Sequence, residues 1–294
     1  MSITRRAALL AAGAAAPAPA APSLAQGARV LRFVPHANLT SLDPVWTTAW
    51  ITRNHGYMVY DTLYSQGADL TAQPQMAEGH VWDAEHRRIT ITLREGLRFH
   101  DGEPVRARDC VASLHRWARR DSFGQFVAAA LEEANALDDR RMEFRFNRPF
   151  PHFLDSIAKV APMFVMPERF ATTDAFTQIT EAVGSGPFRF VRAEWVPGAR
   201  AVYERNAAYV PRQEPARMLA GGKAVRFDRV EWRIIPDPAT AAAALQQGEI
   251  DWWETPSFDL LPLLARNRGV AIEQIEVFGS VSVLRPNHLV PPFN

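Results

Sequence analysis

The spacing of apolar positions changes several times along the chain, and each change marks an element. Val30, Leu31, Phe33 and Val34 form a short apolar run, which predicts a buried strand over 29–35. Ile51, His55, Met58, Val59 and Leu63 recur at helical spacing and predict a helix over 51–64. Ile89, Ile91 and Leu93 alternate with Thr90, Thr92 and Arg94, the pattern of a half-buried strand. Cys110, Val111, Leu114 and Trp117 share one face of a helix over 107–119, and Met142, Phe144 and Phe146 alternate again after the turn Asp138-Asp139-Arg140. Pro197-Gly198 between 188–194 and 199–205 predicts a hairpin. A strand over 229–235 is stopped by Pro236-Asp237-Pro238. A helix over 239–247 follows, with Gly248 where a C-terminal glycine cap belongs, then a strand over 250–253. Strands and helices mix without regular alternation, so the class is α/β with α+β character.

The first 26 residues read as an address. Arg5-Arg6 precede an alanine-rich apolar run, and Ser23-Leu24-Ala25 supplies a small-residue cleavage site near Ala25. Paired arginines before a weakly hydrophobic run favour the twin-arginine export route and a periplasmic destination. No later stretch has 18 consecutive apolar residues, the length that suggests a membrane helix.

Composition narrows the chemistry. Lys+Arg of 33 against Asp+Glu of 32 gives a net charge of +1, without the concentrated basic footprint of a nucleic-acid binder. Cys110 stands alone, which excludes an internal disulfide and a cysteine-based structural zinc site. The 294 residues suggest about two domains at ~100–200 residues each. None of the eight histidines forms a close ligand pair on a helix. Gly184-Ser185-Gly186-Pro187 is neither a phosphate loop nor a nucleophile elbow, because Pro187 removes a needed N–H and the turn feeds a strand. Cys110 falls on the apolar face of its helix and reads as core. The Asp101-Gly102 turn explains His100-Asp101 better than half a catalytic triad does, and no nucleophile–base arrangement emerges. The sequence gives no support for a metal site and points to no cofactor.

Four blocks, read in order, carry a resemblance. The first is Ser41-Leu42-Asp43-Pro44 with Val59-Tyr60-Asp61-Thr62-Leu63-Tyr64 and Pro74-Gln75-Met76-Ala77-Glu78. The second is Leu93-Arg94-Glu95-Gly96-Leu97-Arg98-Phe99-His100-Asp101-Gly102-Glu103-Pro104-Val105, followed by Arg108-Asp109 and an apolar helix. The third is Gly184-Ser185-Gly186-Pro187-Phe188 with Trp195-Val196-Pro197-Gly198 and Arg205-Asn206. The fourth is Ile234-Ile235-Pro236-Asp237 with Gln247-Gly248-Glu249-Ile250-Asp251. Together they resemble the extracytoplasmic solute-binding proteins of ABC importers, the family 5 that includes dipeptide-, oligopeptide- and nickel-binding proteins.

The resemblance implies a type II periplasmic-binding-protein fold of two lobes. Residues 29–50 and 184–280 would form the first lobe, 51–183 a subdomain inserted into it, and 281–294 the start of a crossover to a second lobe that this sequence lacks. It also implies a partnership with ABC permease subunits in the membrane and a small solute as ligand, a short peptide first. Nickel chelate, haem and sugar remain open, as does a truncated fragment without a transport role. Such proteins close on a ligand as a hinge and need no catalytic group. The expected cleft wall is the loop Trp46-Thr47-Thr48, where an indole offers a flat apolar face and one donor and threonines both donate and accept. Ser185 in its glycine turn is a further candidate. Trp252 and Trp253 must point to opposite faces; Trp253 is favoured for the cleft, with Glu254 as partner for a ligand amine. His100, Asp101 and Gly102 are expected to lie in the insert and to serve its folding. Val281, Val283 and Leu284 read as a strand, expected to be left exposed and prone to association without the second lobe.

Overall fold

The computed structural model describes residues 28–275 and 283–293; the 26 residues read as an export address, with Val281 and Ser282, lie outside them. The chain enters through β1 (Val30–Val34) and, after a long loop, α1 (Trp50–Val59). Short strands β2 (Asp61–Thr62), β3 (Tyr64–Gln66) and β4 (Ala72–Pro74) lead to β5 (Ala77–Trp82) and β6 (Arg88–Leu93). Then come α2 (Ala107–Arg120), α3 (Ser122–Ala130), β7 (Leu131–Ala136), β8 (Arg141–Phe146), α4 (Phe153–Ala158), β9 (Phe164–Val165) and α5 (Glu168–Ala171). The last part carries β10 (Phe188–Phe190), β11 (Arg200–Arg205), β12 (Arg229–Arg233), α6 (Pro238–Gln246), β13 (Trp252–Trp253) and α7 (Leu261–Leu264).

Two sheets carry most of this. One has five strands in the order β10-β11-β12-β1-β13, and the other has four in the order β5-β6-β8-β7. In the first, β1 runs parallel to both β12 and β13, while β11 is antiparallel to its neighbours. The mixed sheet agrees with the α/β class read from the pattern. Each sheet has its own core. Phe33, Leu42, Ile51, Val59, Tyr203 and Trp232 pack together in one, and Ile89, Ile91, Leu93, Leu114, Trp117 and Phe144 in the other. The alternation along β6 works as expected: Ile89, Ile91 and Leu93 point inward while Thr90 and Thr92 stay half-buried on the other face. Cys110 is buried in the same core.

Caps set several boundaries. Asp109, at the third position of α2, accepts a hydrogen bond from the Arg106 backbone N–H at 2.7 Å, and Arg119 and Arg120 in the last turn suit the negative helix end. Asp237 caps α6 through the Thr240 N–H at 2.8 Å, Pro238 opens the helix, and Gly248 with φ of 73° follows it. The predicted helix over 51–64 is shorter than expected, because α1 ends at Val59. The spacing from Val59 to Leu63 imitates another helical turn, but the two residues serve different cores. Between them Asp61 and Thr62 extend to pair with β9. Of the predicted strand through Val281, Val283 and Leu284, the first part lies outside the described residues, and Val283 and Leu284 carry no strand and are exposed.

The two cores are stitched along a seam. The Gly184–Gly186 turn lies so close to the end of α1 that a Cβ on Gly184 would sit 2.0 Å from the Val59 carbonyl oxygen. The Gly186 N–H donates to that same oxygen at 2.8 Å. From the other side the His100 N–H donates to the Gly184 carbonyl at 2.8 Å, and His100 Nε2 donates to the Gly186 carbonyl at 3.1 Å. His100 is thus bonded across the seam, and Asp101 beside it pairs with Arg169.

Candidate functional site

In an open sheet with parallel strands, ligands sit in the crevice outside the carboxyl ends of those strands. Here β1 and β13 lie side by side and parallel, and the residues that follow them converge. Glu254, the first residue after β13, donates its N–H to the Val34 carbonyl at 3.0 Å. Its Oε2 accepts the His36 backbone N–H at 2.8 Å and lies 2.8 Å from His36 Nδ1. Its Oε1 accepts from Asn54 Nδ2 at 3.2 Å. One carboxylate thus ties together the exits of β1 and β13 and the first half of α1.

The outer face of α1 continues this surface. Ile51, Thr52, His55, Gly56 and Val59 are buried, so Trp50, Arg53 and Asn54 lie on the outward side, whereas the Tyr57 ring turns back onto the core, edge-on to Phe164 at 5.1 Å. Trp50 is 62% exposed. The Arg53 guanidinium lies 5.0 Å from its ring centroid, a cation–π contact. Burial pulls the Arg53 pKa down from its ordinary value, with Tyr57 and Glu254 acting in the opposite direction.

The residues expected from sequence fall in several places. Trp46 is clamped: the Arg120 guanidinium lies 5.0 Å from its ring centroid and Arg120 Nη2 donates to the Trp46 carbonyl at 2.7 Å. Thr47 Oγ1 accepts the Ala49 N–H at 3.1 Å in a local turn, and Thr48 is exposed just before α1. Ser185 is buried in the seam, and its Oγ has no hydrogen-bond partner. Trp253 is half-buried against Val34, Ala244 and Ile250. Trp252 keeps 45% of its surface exposed and lies 4.7 Å, ring to ring, from Phe33. Glu254 is joined by His36, Asn54, Arg53 and Trp50, which sequence reasoning missed. The available signal was the grouping of Trp50, Arg53 and Asn54 opposite an apolar face.

Two clefts lie elsewhere. One of 490 Å³ is lined by α2, β7 and the segment after α5, and one of 280 Å³ by His100, Asp101, Arg189 and Phe190 among others. Neither is lined by Glu254. Among the described residues no three His, Cys, Asp or Glu side chains gather where a metal ion could sit.

The model of bacterial extracellular solute-binding proteins, family 5, middle region, matches residues 71–294. The chain is 41% identical over 259 residues to a probable peptide ABC transporter periplasmic-binding protein of Sinorhizobium fredii, covering 87% of this chain and 49% of that protein. It is 24% identical to the glutathione-binding protein of Salmonella typhi, over 85% of this chain and 46% of that one. Its fold matches a dipeptide-binding protein from Pseudoalteromonas sp. SM9913 in complex with Met-Leu. There the TM-score is 0.68 at 19% identity, over 82% of this chain and 50% of the other. The chain spans about half the length of the curated relatives it matches.

Proposed function

The chain belongs to the bacterial extracellular solute-binding proteins of family 5, and from that membership we propose that it is part of a periplasmic binding component of an ABC importer. In this reading it captures a short peptide or similar small solute and hands it to permease subunits in the membrane, without catalysis. The convergence of His36, Asn54 and Glu254 at the carboxyl ends of β1 and β13 is the observation that carries the reading. It gives an anchored carboxylate where a solute would lie, and Glu254 is the proposed partner of a ligand amine. Trp46, Thr47, Thr48 and Trp253 would border that surface, while Ser185 would act by holding the seam behind it. Residues 29–50 and 184–280 are proposed as the first lobe, with 51–183 inserted. The Arg5-Arg6 pair and the Ala25 site support export with cleavage near Ala25.

Isothermal titration of the full-length protein with a panel of dipeptides tests the proposal. Saturable binding with one site per molecule is expected. A flat trace across the panel refutes the peptide reading. A secreted reporter fused after Gln26 tests export. It is expected to reach the periplasm and to stop doing so when Arg5 and Arg6 are both replaced by lysine.

A further inference from the structure

Arg53 is a cation without an anion of its own. Among the described residues it forms no ion pair; its contacts are the Trp50 ring and a hydrogen bond from Nη2 to Asn54 Oδ1 at 3.4 Å. It is half-buried, so its guanidinium has shed part of its water without a carboxylate in exchange. Guanidinium is the side chain that tolerates this best, being planar, weakly hydrated and able to stack on an aromatic face. A stacked and partly dried guanidinium presents its fork to a carboxylate with little left to desolvate or immobilise.

Its position relative to Glu254 adds a second constraint. Asn54 stands between them, its oxygen accepting from Arg53 and its amide nitrogen donating to Glu254 Oε1 at 3.2 Å. One side-chain amide therefore bonds to a positive and a negative group on the same surface. Such an arrangement is complementary to a small solute that carries both an amine and an acid.

We propose that Arg53, stacked on Trp50 and separated from Glu254 by Asn54, is the specificity-determining residue that selects a carboxylate on the bound solute. This rests on the reading of the β1/β13 exit as the solute site.

The test uses the full-length protein and three probes, Ala-Phe, its C-terminal amide and N-acetyl-Ala-Phe, followed by isothermal titration. Wild type is expected to bind Ala-Phe about tenfold or more tighter than the amide. Arg53→Gln is expected to lose that factor for Ala-Phe while keeping the wild-type affinity for the amide, which also shows that the variant is folded. Arg53→Lys is expected to restore part of it. Equal wild-type affinity for acid and amide, or an equal loss of both in Arg53→Gln, overturns the inference and leaves the peptide reading standing. Binding of N-acetyl-Ala-Phe that depends on Arg53, with no binding of Ala-Phe, supports the inference and refutes the peptide reading. Binding of none of the three overturns both.

Discussion

Asp43 and Arg116 meet as a two-pronged ion pair whose side chains are both 0% exposed. Nη1 reaches Oδ1 at 3.0 Å and Nη2 reaches Oδ2 at 2.7 Å. The remaining lone pairs of the carboxylate are used as well, by the Val45 N–H at 3.0 Å and the Ile179 N–H at 3.0 Å. Arg116 Nη2 also donates to the Thr177 carbonyl at 3.0 Å. Asp43 stands in the loop after β1 and Arg116 on α2, so the pair locks the five-stranded sheet's loop to the helix that packs on the four-stranded sheet. The loop it fixes is the one that runs into α1 and so sets where Trp50 and Arg53 stand.

Breaking that pair from one side is expected to cost about 3–5 kcal/mol, because it leaves a buried, uncompensated charge. Arg116→Met and Asp43→Asn should each show it in chemical denaturation. The double variant should recover much of the loss, since two neutral groups leave no lone charge. Losses under 1 kcal/mol in both single variants would mean that water reaches the pair.

Acid should loosen the same seam. Burial pulls the His100 imidazole down to about 4 and that of His55 down to about 3, against an ordinary 6.5. The neutral form of His100 fits its site, with Nε2–H donating to Gly186 and Nδ1 accepting the Gly184 N–H at 3.4 Å. Below pH 6.5 the unfolded chain takes up protons that the folded chain refuses. Stability therefore rises with pH between about 4 and 6.5, by about 1.4 kcal/mol per pH unit for each such histidine, and levels off above. Carboxylates such as Asp138, held at about 2 mainly by its hydrogen bond from Arg141, lose their contribution lower down, below 3.8. Denaturation across this pH range should show the slope, and His100→Asn should remove one histidine's share. An unchanged slope in His100→Asn would mean that its ring is not excluded from protonation.

The core of the four-stranded sheet gives a simpler expectation. Leu93 is 1% exposed and packs with Ile89, Ile91 and Leu114. Leu93→Ala should destabilise the protein by about 2–5 kcal/mol, the transfer term plus the cavity left behind. Thr92→Ala, on the opposite face, should cost well under 1 kcal/mol and serves as the comparison in the same denaturation series.

These residues also mark how far the sequence could be read. Ile89, Ile91 and Leu93 were legible because a strand with one buried face repeats every second residue, and that signal is local. The ends of α6 were legible because Asp237, Pro238 and Gly248 act on their own backbone. The end of α1 was not, since the helical spacing of Leu63 reflects a second core rather than another turn. The site was legible only in part. Glu254 could be suspected at a strand end, but its partners His36 and Asn54 lie 218 and 200 residues away. The parallel pairing of β1 with β13 brings His36 to Glu254, and the packing of α1 brings Asn54. The clamp on Trp46 left no local trace either, because Arg120 comes from a helix 74 residues further on.

Glu254 itself carries the last expectation. As a carboxylate it accepts from His36 and Asn54; a glutamine in its place can keep its oxygen on the His36 N–H, and its amide nitrogen then donates to Asn54 once that side chain turns its oxygen toward it. Glu254→Gln should therefore fold with nearly wild-type stability while losing its negative charge. If Glu254 receives a ligand amine, the variant of the full-length protein should bind a free dipeptide about tenfold or more weakly, the loss of roughly 1.4 kcal/mol or more expected of a charge-assisted hydrogen bond. The N-acetylated peptide has no ammonium to lose, so the variant should bind it as wild type does. Titration of both peptides against both proteins forms a double-variant cycle. An equal loss for the two would place Glu254 in the architecture of the β1/β13 exit, and no loss for either would move the amine to another group.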